Sequence, residues 1–75
     1  MKKYEPSTGI ADGIKSLNAI LRELKKLDAD NIDYRKITTL YSDMGIICGQ
    51  MQTEANAICR AYADEWTTIG SVHKI

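Results

Sequence analysis

Seventy-five residues carry ten basic and ten acidic side chains, so the formal charge is zero, which weighs against a chain that binds nucleic acid through a basic excess. With 44% hydrophobic and 27% charged residues, the composition is that of one globular domain and argues against intrinsic disorder. A chain of this size buries only about 60% of its unfolded surface, so a disulfide, a metal or a partner chain is expected to supplement its core.

Residues 1–6 read as a flexible leader. "MKKYEPSTG" has a basic pair with no apolar run behind it, so no signal peptide is expected. Ser7 or Thr8, just after the single proline, supplies a helix N-cap. The apolar positions 10, 14, 17, 21 and 24 then alternate steps of four and three, widened by Ile20 and Leu27. This spacing predicts an amphipathic first helix over about 8–27. Asp12 near its start and the "RELKK" run near its end both suit the helix dipole.

"LDADNID" breaks the periodicity with residues that favour turns and caps. A turn over 28–31 is expected, with Asp30 or Asn31 capping a second helix and Asp33 adding negative charge to its first turn. So short a connection makes the two helices antiparallel neighbours.

The second periodic segment is long. Ile37, Tyr41, Met44, Cys48, Met51, Ala55, Ile58 and Tyr62 form one stripe, flanked by Leu40, Ile47 and Cys59 and extended by Trp66 and Ile69. Gly45 and Gly49 lie within it, each costing about 1 kcal/mol relative to alanine in a helix interior. They can permit close approach of another helix, bend one long helix around its partner, or mark a break into a three-helix monomer. The stripe keeps its phase through both glycines, and "GIICGQM" lacks the Asn, Asp or Pro of a turn, so a continuous helix over about 31–67 is favoured. Gly70 reads as a stop signal and 70–75 as a frayed tail.

Length then sets a problem. A second helix of about 36 residues spans about 54 Å, whereas a first helix of about 20 spans about 30 Å. The short helix cannot cover the long stripe, and Met51, Ile58, Tyr62 and Trp66 would stay wet, at roughly 1.5–3 kcal/mol each of forgone burial. The expected fold is therefore all-α: an antiparallel helical hairpin with a long second helix, forming a four-helix bundle as a homodimer. The self-association or partner face is assigned to Met44, Gly45, Ile46, Gly49, Met51, Ile58, Tyr62 and Trp66, with Ile46 pointing away from the main stripe. The Met44, Met51 and Tyr62 side chains suit either a core or an adaptable docking groove.

Nothing in the sequence assembles a catalytic or metal site, and no cofactor is expected. Cys48 and Cys59 are eleven residues apart, about 16 Å along one helix, too far for an intrachain disulfide. Cys48 reads as a small core residue, and Cys59 sits at the stripe's edge beside Arg60, where its pKa could fall if it is exposed. Reduced thiols point to the cytoplasm. His73 is the only histidine and reads as a solvated residue of the tail, with no second histidine to complete a metal site. Asp12, Glu23, Asp43, Glu54, Asp64 and Glu65 scatter over outer faces, and "GIICG" follows no strand and precedes no lysine, so it is no phosphate loop. No run is long and apolar enough for a membrane span. The expected function is an adaptor, regulator or assembly component that works through protein–protein contact and is not an enzyme. The alternatives are a small nucleic-acid-binding regulator using a basic patch of Arg22, Lys25 and Lys26, and a secretion or virion assembly subunit.

Overall fold

The computed structural model describes the backbone of residues 2–73 and the side chains of 2–67. Two helices, α1 (Thr8–Lys25) and α2 (Tyr34–His73), form an antiparallel hairpin. The Oγ of Ser7 accepts from the Ile10 N–H at 3.2 Å and its carbonyl accepts from Ala11 at 3.0 Å, so Ser7 is the N-cap of α1. At the other end, the N–H groups of Lys26 and Leu27 donate to the carbonyls of Glu23 and Leu24, each at 3.2 Å. These i→i−3 bonds tighten the last turn and end α1 two residues before the expected Leu27.

The connection runs from Lys26 to Asp33, longer than the expected 28–31, because Asp28 organises it. Its carboxylate accepts from the Asp30 N–H at 2.9 Å and its carbonyl from the Asn31 N–H at 3.2 Å. The turn holds Asp30 short of the first turn of α2, and the cap of α2 falls to Asp33. The Asp33 carboxylate accepts from the Lys36 N–H at 3.1 Å and its carbonyl from Ile37 at 3.0 Å. Asp33 is thus the cap itself, and α2 starts three residues after the expected position.

The second helix is unbroken through Gly45 and Gly49, where no residue adopts positive φ. It also continues through Gly70 to His73, past the expected stop. Residues 74 and 75 of the expected tail lie outside the described residues. The hydroxyls of Thr39, Thr53 and Thr67 donate to the carbonyls four residues earlier, at 2.9, 3.1 and 2.8 Å, so they need no outside partner.

The two helices meet along Ile10, Gly13, Leu17, Ile20 and Leu24 of α1, continued by Leu27 just past its end, and along Ile37, Leu40, Met44, Ile47, Met51, Glu54 and Ile58 of α2, in steps of three and four. Ile20 is the only buried side chain among the described residues, and the others are half-buried. The seam is thus centred one step away from the predicted stripe. Leu40 and Ile47, expected as flanks, point inward, while Tyr41, Cys48 and Ala55 point outward. A two-helix contact needs a strip only two positions wide, so a stripe three positions wide leaves one row in solvent.

Close approach within the hairpin is carried by glycines of α1. A Cβ added at Gly13 would lie 2.6 Å from Met51 Sδ and 2.7 Å from its Cγ, and one at Gly9 would strike the Glu54 carboxylate. These contacts, with the Glu23–Lys36 ion pair at 3.7 Å near the turn, mark the register of the hairpin. With α1 at 18 residues and α2 at 40, their lengths are about 27 and about 60 Å. The longest dimension of the chain is 66 Å. Beyond Ile58, α2 therefore extends past α1.

Candidate interaction surface

The hairpin presents two unlike sides. On one, Ser16, Ala19 and Ile20 of α1 and Asp43, Ile46 and Ile47 of α2 line a shallow groove of about 350 Å³. The Glu23–Lys36 pair joins the helices near the turn, and Gln50 follows one heptad after Asp43. This side sets Ser16, Asp43 and Gln50 beside Ala19 and Ile47, with Ile46 59% exposed on the groove's rim.

The other side carries an uncharged row of α2 beside Ile14 and Leu21 of α1. Because Ser16 and Ala19 face the groove with Ile46, Ile14 and Leu21 on the opposite flank of α1 emerge on the side of Tyr41 and Cys48. Ile14 is 49% exposed and Leu21 45%. Tyr41 borders a smaller hollow formed with Leu24, Leu27, Ala29, Ile32 and Ile37 at the turn. From Tyr41 a second row runs the length of α2: Tyr41, Gly45, Cys48, Gln52, Ala55, Cys59, Tyr62 and Trp66, in steps of four and three throughout. All of these residues are exposed. None is charged, in a chain whose charged fraction is 27%. The adjoining row, Ser42, Gly49, Asn56 and Ala63, is small in every position. An added Cβ would meet nothing within 4 Å at Gly45 or Gly49, so these two glycines serve no contact within the hairpin.

At the overhang, Tyr62 remains 56% exposed and Trp66 76%. The segment before α1 returns alongside α2, where Tyr4 lies against Tyr62. The adjacent Tyr4 phenol, hydrogen-bonded to that of Tyr62, raises the Tyr62 pKa above 10.0, with smaller contributions in the same direction from partial burial and Glu65.

The residues assigned from the sequence fall into three places. Gly45, Gly49, Tyr62 and Trp66 share the uncharged side. Met44, Met51 and Ile58 are half-buried against α1 and belong to the hairpin's own seam, and Ile46 stands alone on the groove side. Ile14 and Leu21, not assigned to this face from the sequence, join it, and Cys48, expected as a small core residue, is exposed. The signal for all three was the same: each occupies the position directly after an inward pair of the three–four repeat. Cys59 is also free and exposed. The basic run divides: Arg22 and Lys25 lie in the last turn of α1, while the Lys26 ammonium pairs with Glu23 at 3.4 Å, a carboxylate it shares with Lys36. The side chain of His73 lies outside the described residues. Among the described residues, no three His, Cys, Asp or Glu side chains gather as metal ligands, and no helix is long and apolar enough to cross a membrane.

No protein-family model, curated protein or solved structure matches this chain.

Proposed function

We propose that the protein is a small, non-enzymatic helical component that works by protein–protein contact, as an adaptor, regulator or assembly element, and that it self-associates as a homodimer of four helices. The observation that supports this is the uncharged side of α2, which continues from the hairpin onto the overhang and keeps Tyr41, Tyr62 and Trp66 in water. Large contiguous apolar patches on a soluble chain mark contact sites, and aromatic side chains contribute most to the energy of such contacts. The exposed free thiols suit a reducing compartment, consistent with a cytoplasmic protein.

Light scattering over a concentration series tests the reading. A dimer mass that falls toward the monomer on dilution is expected, and Tyr62→Asp shifts the transition to higher concentration, because it places a charge on the overhang without touching the α1–α2 seam. A monomer at every concentration overturns it. Growth beyond the dimer marks an assembly subunit. The nucleic-acid reading has weaker support, because Glu23 takes both Lys26 and Lys36 and the turn beside them carries Asp28, Asp30 and Asp33.

A further inference from the structure

We infer that the second copy docks with α2 antiparallel to α2 about the helix midpoint, between Thr53 and Glu54, so that each overhang lies on the other chain's hairpin. The inference rests on the self-association reading and adds to it the face, the direction and the register.

The exposed row is complementary to itself when reversed. Turned end for end about its middle, it sets Tyr41 opposite the partner's Trp66, Gly45 opposite the partner's Tyr62, Cys48 opposite the partner's Cys59 and Gln52 opposite the partner's Ala55. Every pairing recurs by symmetry, as an isologous interface requires. The same centre bisects α2 itself, which runs from Tyr34 to His73, so the two long helices overlap along their whole length. In this register the ring that needs cover meets the backbone that has room for it: an added Cβ at Gly45 would find nothing within 4 Å. That vacancy gives the glycine's helix-propensity cost a return which the hairpin alone does not provide.

Geometry outside the row agrees. α1 covers α2 from the turn to about Glu54, where Gly9 meets it. The partner's overhang would lie over that same stretch, against the uncharged row and the neighbouring Ile14 and Leu21. Each end of the dimer then becomes a three-helix layer made of one hairpin and one borrowed overhang. Parallel pairing fails on the same residues. It stacks Trp66 on Trp66 and Gly45 on Gly45, and it leaves both overhangs together at one end with no hairpin beneath them. Charge within the row does not oppose the antiparallel arrangement, since the row has no ionised group, and Glu54 and Glu65 lie on its seam-side flank. The area is sufficient. At 56%, 56% and 76% exposure, Tyr41, Tyr62 and Trp66 offer on the order of 400 Å² per chain if a ring buries about 150–250 Å². With Ile14, Leu21 and the two cysteines added from both chains, the total passes the roughly 1,200 Å² of a specific interface.

The cysteines make the register measurable. A disulfide needs Cα atoms about 4.4–6.8 Å apart. The antiparallel register brings Cys48 toward the partner's Cys59 and holds like cysteines about 16 Å apart along the axis. The reduced chain is treated with diamide, whose azo bond takes two electrons and the two thiol protons to become a hydrazine as each S–S bond forms. The products are resolved on a non-reducing gel. The wild-type chain is expected to give a covalent dimer. Cys48→Ser alone and Cys59→Ser alone give none, although both keep the dimer mass by light scattering, and an equimolar mixture of the two variants gives a covalent heterodimer. A covalent dimer from either single variant alone overturns the antiparallel register. A wild-type dimer by mass that does not cross-link assigns association to another face and overturns this inference while leaving self-association standing. A monomer by mass removes both.

Discussion

Ile20→Ala and Ile46→Ala remove the same atoms from opposite situations. Ile20 is 8% exposed, held between Ile47 and its own helix, whereas Ile46 is 59% exposed on the rim of the groove beside it. Core Ile→Ala changes cost about 2–5 kcal/mol. The layer around Ile20 is one residue deep and open to water on the groove side, so the remaining side chains can settle and the low end applies, about 2 kcal/mol. Ile46→Ala is a surface change and should stay within about 0.5 kcal/mol. A domain of this size holds roughly 4–11 kcal/mol in all, so the first change removes a large share of the stability and the second almost none. Thermal unfolding followed by far-ultraviolet circular dichroism, at one fixed protein concentration, converts the difference to a melting point lower by roughly 8–16 °C for Ile20→Ala. Equal shifts for the two variants, or a larger one for Ile46→Ala, would refute the seam, since they would mean that α2 turns another face to α1.

Gly13→Val places a branched side chain where Met51 Sδ and Cγ already stand 2.6 and 2.7 Å from a bare Cβ. It should destabilise by about 1–3 kcal/mol in urea unfolding, and an unchanged midpoint would contradict the close approach. Asp33→Ala removes the side-chain acceptor for the Lys36 N–H and should cost about 1 kcal/mol, whereas Asp30→Ala, whose carboxylate makes no cap, should cost clearly less by the same assay. In Tyr4→Phe, the ultraviolet titration of Tyr62 should fall back toward 10.0, because its neighbouring phenol is gone. The sign follows from linkage: a phenol whose pKa rises on folding adds stability below its unfolded pKa, and that contribution is lost as pH climbs through the folded value. A Tyr62 titration unmoved by Tyr4→Phe would place the segment before α1 elsewhere.

The architecture was legible because it depends on features local in sequence. A three–four repeat gives each helix its apolar side, Ser7 and the Asp-rich turn supply acceptors where backbone donors are left open, and an unslipped phase carries α2 through two glycines. The choice of row was less legible. Tyr41 and Leu40, or Cys48 and Ile47, are neighbours on the wheel with similar claims to burial. Which of each pair turns inward depends on the rotation at which α1 docks, and Gly13 leaves room on the α1 face that meets Met51. That glycine signals nothing until the opposing residue is known. Cap positions slipped for a related reason: Asp28, Asp30 and Asp33 can all accept a backbone bond, and only the path of the turn shows that Asp28 binds within it and leaves Asp33 for α2.

The case for a partner comes down to how few ways remain to cover α2. Folding back at the glycines would have made a three-helix monomer, but α2 runs unbroken from Tyr34 to His73. The segment before α1 could have covered the overhang, yet Tyr4 meets Tyr62 and still leaves it 56% exposed, with Trp66 at 76%. A disulfide could have strengthened the chain, but both thiols are free and point outward. Of the supplements on which small domains rely, a second chain is the one that this geometry invites. The same residues then acquire a common explanation: aromatic rings on a segment without a helix to rest on, glycines with open space beside them, and a row with no charge to desolvate. The first two cost the isolated hairpin free energy, the third lowers the cost of covering the row, and the proposed antiparallel copy would draw on all three.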